Sequence, residues 1–360
     1  MRPFSTALFA LLCFAALAIA QVHSPAPDVT IPAPPSEWLI SGSTLTLRAF
    51  STTNVVSEVG GAFLNHSKCD ADGNLYIPKY ASDRPLLGPV VKIDREGKRT
   101  ALFDGAAFTQ LGLDRVHGFS PSADGGLYQL AQSGVLKPRI YVLHFSSDGS
   151  PSSPTLLDAD FEVYTFAAFA DGNFLVSGVK RDVLNKNDHG RNFTAVFSAD
   201  GRELAQLSFP EALDTGKAGA GKPKTKDSGD ATAALDLAEA EVGNDGYLYV
   251  MRFSTPALVY VIASSGKIVQ TLKVTTSLTG ALPSAFHISG NRLAISFWDD
   301  QNQRQRVVVA DAQTGRKIAS YADPDGLGPS FVCYSANEGV FTFLKLGEGN
   351  SLEVIRAEAQ

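Results

Sequence analysis

Short apolar runs alternate with Gly-containing turns along almost the whole chain, which is the pattern of strands and not of helices. The clearest unit is an apolar strand, an Asp-Gly turn and a second apolar strand. Ala71-Asp72-Gly73-Asn74-Leu75-Tyr76-Ile77 returns as Ala123-Asp124-Gly125-Gly126-Leu127-Tyr128 and as Ala170-Asp171-Gly172-Asn173-Phe174-Leu175-Val176. It returns again as Asn244-Asp245-Gly246-Tyr247-Leu248-Tyr249-Val250, and more loosely at Ser289–Ile295 and Ala336–Phe341. A strand pattern repeating every 40–50 residues or so predicts small sheets repeated radially, as in a β-propeller.

A second turn follows each Asp-Gly turn. Examples are Asp94-Arg95-Glu96-Gly97, Ser147-Asp148-Gly149, Ala199-Asp200-Gly201, Ser264-Ser265-Gly266 and Gln313-Thr314-Gly315. Glycine supplies a positive φ and Asp a local side-chain bond, as tight hairpins require. Each blade therefore reads as strand a, tight turn, strand b, longer loop, strand c, tight turn, strand d. The fold class expected is all-β, a six-bladed β-propeller with four-stranded antiparallel blades. The last blade shows three strands. Thr44–Phe50 is the candidate for its outer strand, closing the ring and covering exposed edges.

Val90-Val91-Lys92-Ile93-Asp94-Arg95-Glu96-Gly97-Lys98, following Gly73-Asn74-Leu75-Tyr76-Ile77, resembles the NHL-type repeat, and the chain is similar to bacterial six-bladed propellers of the TolB-like kind. The resemblance implies the fold and says little about activity. Six-bladed relatives include calcium-dependent lactonases and lyases. By that resemblance Asn65, Glu239 and Glu241 are candidate ligands of a divalent metal such as calcium, with His66 or His117 as general base.

Residues 1–20 read as an export signal: Arg2, an apolar core over Ala7–Ala16, and Ala18-Ile19-Ala20 before a cleavage point at Gln21. Residues 21–36 are Pro-rich and read as a tether, leaving 37–360 for the propeller. The expected location is therefore periplasmic or extracellular. No span after the signal is apolar enough to cross a bilayer. Residues 214–231 carry Gly, Lys and Ala without a large apolar side chain and predict a loop insertion. The formal net charge of −6 argues against general nucleic-acid binding.

Two of the three cysteines, Cys69 and Cys333, follow the signal. They precede the first and last Asp-Gly-type turns, on blades adjacent in a closed ring. Two readings are open: a disulfide stapling that ring, or two buried free thiols. Aligned on their turns, the two positions differ by about one residue, which weighs against the bridge because one residue reverses a strand face.

The b–c and d–a connections share one side and are the longer ones, so that face and the adjoining channel mouth are the expected site. Residues entering the inner strands there are Asn65, His66, Arg115, His117, Tyr164, Glu239, Glu241 and Ser284. Two imidazoles, a guanidinium and two carboxylates from different blades suit a polar ligand. No nucleophile elbow, Walker loop, HExxH or CxxC motif is present. The reading is a secreted, monomeric binding module for a protein, peptide or glycan partner. The alternative is a metal-dependent lactonase- or lyase-like enzyme at the same mouth.

Overall fold

The computed structural model describes residues 44–55, 66–79, 88–134, 138–159, 161–180, 190–207, 237–323, 326–328, 330–348 and 351–360. The export signal (1–20), the tether (21–36), the insertion (214–231) and Asn65 lie outside the described residues.

The described chain is all-β in a propeller-like arrangement of four-stranded antiparallel sheets. The first strand, β1 (Thr44–Val55), joins the sheet formed by the end of the chain. Sheet I holds β2 (Lys68–Cys69), β3 (Leu75–Pro78), β4 (Val90–Ile93) and β5 (Arg99–Phe103). Sheet II holds β6 (Leu113–Pro121), β7 (Leu127–Ser133), β8 (Arg139–Phe145) and β9 (Thr155–Leu157). Sheet III holds β10 (Glu162–Ala168), β11 (Phe174–Lys180), β12 (Arg191–Phe197) and β13 (Glu203–Gln206). Sheet IV holds β14 (Glu241–Val242), β15 (Leu248–Arg252), β16 (Ala257–Ile262) and β17 (Ile268–Val274).

The remaining strands form one eight-stranded sheet. They are β1 with β18 (Leu282–Ser289), β19 (Arg292–Asp299), β20 (Arg304–Asp311), β21 (Lys317–Asp323), β22 (Ser330–Ser335), β23 (Val340–Leu346) and β24 (Leu352–Ala359). Its order is β18-β19-β20-β21-β1-β24-β23-β22. Thr44–Thr46 of β1 run parallel to β21, and Leu47–Val55 run antiparallel to β24. The register shifts between Ala49 and Ser51, and Phe50 at this bulge is exposed. β1 thus reaches five residues beyond the Thr44–Phe50 expected from the apolar pattern, because pairing with β24 continues through the polar Ser51–Asn54.

The hairpins have the turn chemistry that the sequence demands. In the first, Gly73 N–H donates to Asp70 O at 2.9 Å and Asp70 N–H to Asn74 O at 3.1 Å. The Asp70 carboxylate accepts from Asn74 N–H at 2.9 Å, and Gly73 sits at φ 78°. That is a three-residue loop closed by a left-handed residue, where a side chain would be strained. The second turns add a packing constraint. A Cβ on Gly149 would lie 2.4 Å from Leu102 O, and one on Gly201 would lie 2.0 Å from Leu156 O. Each of these turns rests on the outermost strand of the preceding sheet, so no other residue fits.

The core lies between sheets. Tyr76, Phe103, Phe108, Leu127 and Phe145 fill the space between sheets I and II, with Phe103 and Phe145 packed edge to face at 5.9 Å. Leu175, Val196, Leu248 and Tyr260 join sheets III and IV. Burial of side chains this large, at about 1.5–3 kcal/mol each, is what holds neighbouring sheets together. The inner strands would expose unpaired backbone amides along one edge. The preceding sheet caps some of them: Ala168 N–H donates to Ser120 Oγ at 3.2 Å, Ile288 N–H to Glu241 Oε2 at 2.8 Å, and Ala336 N–H to Ser289 Oγ at 3.1 Å.

Cys69 and Cys333 form a disulfide, with Cα atoms 5.9 Å apart. The one-residue offset between them is absorbed by a register shift in β22 between Phe331 and Cys333. The extra residue turns Cys333 back toward sheet I, among Val55, Leu75, Ile77 and Val354.

Candidate functional site

A cavity of about 370 Å³ opens where the inner strands end and the Asp-Gly turns begin. It is lined from sheets I to IV and from β18, by Lys68, Cys69 and Asp70, Ser120 and Ser122, Ala168, Glu241, and His287 among others. The inner strands deliver these side chains because each ends in a turn that its own Asp or Ser closes. β14 is only two residues long, so Glu241 stands directly before the Gly243–Tyr247 turn.

Three polar contacts define the floor and wall. Lys68 is buried, and its Nζ donates to Ala240 O at 2.8 Å, tying sheet I to sheet IV. The Glu241 carboxylate meets His287 Nδ1 at 2.9 Å while also accepting from Ile288 N–H. His287 Nε2 lies 3.6 Å from Cys69 Sγ, so one imidazole touches both the carboxylate and the disulfide. At the rim, Lys92 Nζ reaches Gly125 O at 3.0 Å and Asp70 at 3.5 Å. Tyr76 Oη donates to Gly125 O and to Asp70. Burial, with Asp70 second, pushes the Tyr76 hydroxyl far above its ordinary pKa, so it stays a donor. The carboxylates of Asp70, Asp72 and Glu241 outnumber Lys68 and the rim Lys92 by one, a slight excess that favours ligands bringing hydrogen-bond donors or positive charge.

Of the residues expected to ring a mouth at the other end, Glu241 alone lines this cavity. His66 and Glu239 come within 3.8 Å of each other, just beyond Lys68 and Ala240. The His66 side chain is 55 % exposed. Arg115 and Tyr164 are exposed. His117 is half-buried, with a ring nitrogen 3.0 Å from Gln132 Oε1. Ser284 Oγ donates to Ser296 in the adjacent strand. The structure therefore brings His66 and Glu239 together, joins Glu241 to His287, and leaves Arg115, His117, Tyr164 and Ser284 apart. Most of the long loops that flank that end, over 81–87, 135–137 and 181–189, lie outside the described residues. At the end of β19, Asp299 is buried and holds Asn302 in the following turn and Arg304 at the start of β20. The bond from Asn302, aided by Arg304, keeps its carboxyl below the usual range.

Sequence reasoning missed Lys68, Ser120 and His287. A signal was present for Lys68, a lone charge in a strand directly before Cys69. None marked His287, which reads as one more position in an apolar strand.

The calcium set fits poorly. Calcium takes six to eight oxygen ligands. Glu239 and Glu241 face different imidazoles, and the described residues hold one cluster of three close donor groups, Cys69, His287 and Cys333. Sulfur and nitrogen donors are the wrong chemistry for calcium.

No protein-family model matches the chain, and no curated protein matches it in sequence. Similar solved structures include a protein of unknown function from Bacteroides caccae, with 13 % identity over 72 % of this chain and 81 % of that one, at a TM-score of 0.44. They include a luciferin-regenerating enzyme, with 12 % identity over 87 % of this chain and 95 % of that one, at 0.46. The Dos1 propeller is similar at 11 % identity over 86 % and 95 %, with a TM-score of 0.42.

Proposed function

We propose that this chain is an exported binding module, a six-bladed propeller of the NHL or TolB-like kind that holds a small donor-rich group in the cavity at the turn end of its channel. The ligand class is a hydroxyl- or amine-bearing group the size of a sugar residue or an amino acid, free or at the end of a glycan or peptide. The observation that carries this reading is the 370 Å³ cavity, lined by polar side chains that converge from several sheets. That volume falls at the small end of the range for ligand pockets.

The six-blade count treats the eight-stranded sheet as two blades bridged by β1, whose Leu47–Val55 serves as the outer strand beside β24. The packing of the second turns supports it. Gly149 rests on Leu102, Gly201 on Leu156, Gly266 on Ala205 and Gly315 on Lys273, each on the outer strand of the preceding sheet. Gly97 of sheet I rests in the same way on Thr53 of β1. The first sheet thus meets β1 as sheets II, III and IV and the group β18–β21 meet their predecessors. Export, read from residues 1–20, agrees with a disulfide, which persists in oxidising compartments.

The test is calorimetric titration of the purified chain with monosaccharides, amino sugars and dipeptides. Binding is expected to weaken at least tenfold in Asp72→Ala, a residue that lines the cavity. It should be unchanged in Arg115→Ala at the far end. Absence of binding across the panel, or loss on Arg115→Ala alone, overturns the cavity assignment.

A further inference from the structure

The wall of the cavity carries a second, independent chemistry. Cys69, Cys333 and His287 are all buried, and their Sγ and ring nitrogen atoms all lie within 4.8 Å of one another. We infer that, when the disulfide is reduced, these three side chains bind a zinc-class divalent ion, with its fourth position open to the cavity. The ligand-binding reading above is not required for this.

The geometry supports it in three ways. Zinc–sulfur and zinc–nitrogen bonds at a tetrahedral angle place sulfur and nitrogen about 3.6 Å apart, and two sulfurs about 3.8 Å apart. Cys69 Sγ and His287 Nε2 are already 3.6 Å apart. Once unbonded, the two sulfurs separate by non-bonded contact to about the second distance. Next, the other imidazole nitrogen is held. His287 Nδ1 meets the Glu241 carboxylate at 2.9 Å, which leaves Nε2 as the nitrogen available to an ion. That carboxylate–histidine pairing is the usual support behind a metal-bound imidazole. Glu241 is itself oriented by Ile288 N–H, so the support behind the imidazole is in place before any ion arrives; Cys69 Sγ lies 3.6 Å from Nε2 and 3.9 Å from Nδ1, so a turn of the ring completes the approach. Finally, Cys69 and His287 face the cavity, which gives an ion access and leaves room for water or an exogenous ligand as the fourth donor. Two thiolates and an imidazole match zinc over calcium or magnesium.

A trialkylphosphine attacks one sulfur of the disulfide, the S–S bond breaks, and the second sulfur leaves as thiolate. Water hydrolyses the phosphonium adduct, and the products are the phosphine oxide and two thiols. Zinc binding then releases one proton from each thiol to solvent. In the oxidised chain both sulfurs are spent on each other, so the disulfide is the closed state of the site.

The experiment loads the full mature chain with cobalt(II), before and after reduction with a phosphine. Oxidised protein is expected to stay colourless. Reduced protein should take up one ion per chain, with thiolate charge-transfer bands and the intense visible bands of a tetrahedral centre. Zinc should displace the cobalt. Cys69→Ser and Cys333→Ser should each lose the charge-transfer signature. Glu241→Gln, a positioning change, should keep the spectrum and lower zinc affinity about 10- to 100-fold. Circular dichroism of the reduced chain guards against unfolding. If reduction unfolds the chain, restoration of the fold by zinc supports the site, and failure of zinc to restore it overturns the site. No cobalt bands in folded reduced protein, or bands unchanged in Cys69→Ser/Cys333→Ser, also overturn it.

Discussion

The two ends of the inner strands are built differently. At the turn end, side chains reach from one sheet to the next: Ser120 to Ala168, Glu241 to His287 and Ile288, Ser289 to Ala336, and Cys69 to Cys333. At the start end, His117 bonds Gln132 and Ser284 bonds Ser296, each within its own sheet, while Arg115 and Tyr164 face solvent. His66 and Glu239 meet across sheets there at 3.8 Å, on the exposed side of Lys68 and Ala240. A group satisfied within its sheet contributes the same wherever the neighbouring sheet sits. A group satisfied across sheets both positions the neighbour and shapes the space between them. The cavity occurs where the second kind is concentrated.

The largest test of that difference is the disulfide. It closes 264 residues of sequence separation between sheet I and β22. Constraining so long a loop in the unfolded chain predicts that Cys69→Ala/Cys333→Ala loses about 2–5 kcal/mol, measured by urea unfolding without reductant. A loss below about 1 kcal/mol would mean that packing alone sets this junction.

Next in size is the contrast between two glutamates. Removing Glu241 leaves a buried imidazole and the Ile288 N–H without their acceptor, which predicts about 1–3 kcal/mol for Glu241→Ala. Glu239 meets an imidazole that is half exposed, so Glu239→Ala should cost about 0–1 kcal/mol. Equal losses would remove the distinction between the two ends at its clearest point.

A smaller version compares two serines. Ser120→Ala deprives the buried Ala168 N–H of its acceptor across sheets and should cost about 1–2 kcal/mol. Ser284→Ala should cost about 0.5 kcal/mol, because Ser296 Oγ keeps its bond from Gln305 Nε2. Chemical denaturation of both variants reads the difference directly.

Much of this architecture is legible from the residues, and the site is not, for a physical reason. Asp72-Gly73 and its copies fix turns by local chemistry, and strands follow from apolar runs, so each hairpin can be read alone. The cavity depends on which end of a strand carries the side chain that crosses to the next sheet. Loop length pointed to the start end, where His117 and Ser284 turn inward to their own sheets. Glu241 reads from sequence as a strand entry, yet β14 is so short that entry and exit nearly coincide. The cysteine pair was harder still, because its compensating bulge between Phe331 and Cys333 leaves no mark on the apolar pattern.

The smallest predicted effect is a pH dependence that isolates the start end. Burial disfavours the charged form of His117 and holds its pKa below the ordinary 6.5. The bond to Gln132 opposes the shift, Arg115 adds to it, and Glu162 opposes it weakly. The unfolded chain therefore takes up its proton first as pH falls below 6.5, and in that window it binds more protons than the folded chain. Stability from this group is fully present above 6.5 and is lost as pH falls toward the depressed folded value, below which the loss levels off. His117→Gln removes that slope. Urea unfolding of wild type and variant, followed from about pH 7.5 to about pH 5, should show the wild type losing stability relative to the variant. A constant difference across the range would mean that His117 titrates alike in both states. Glu241→Ala, across the channel and satisfied through a different imidazole, should leave the His117-dependent slope in place. If Glu241→Ala abolishes it, the two ends are coupled and cannot be treated as separately built.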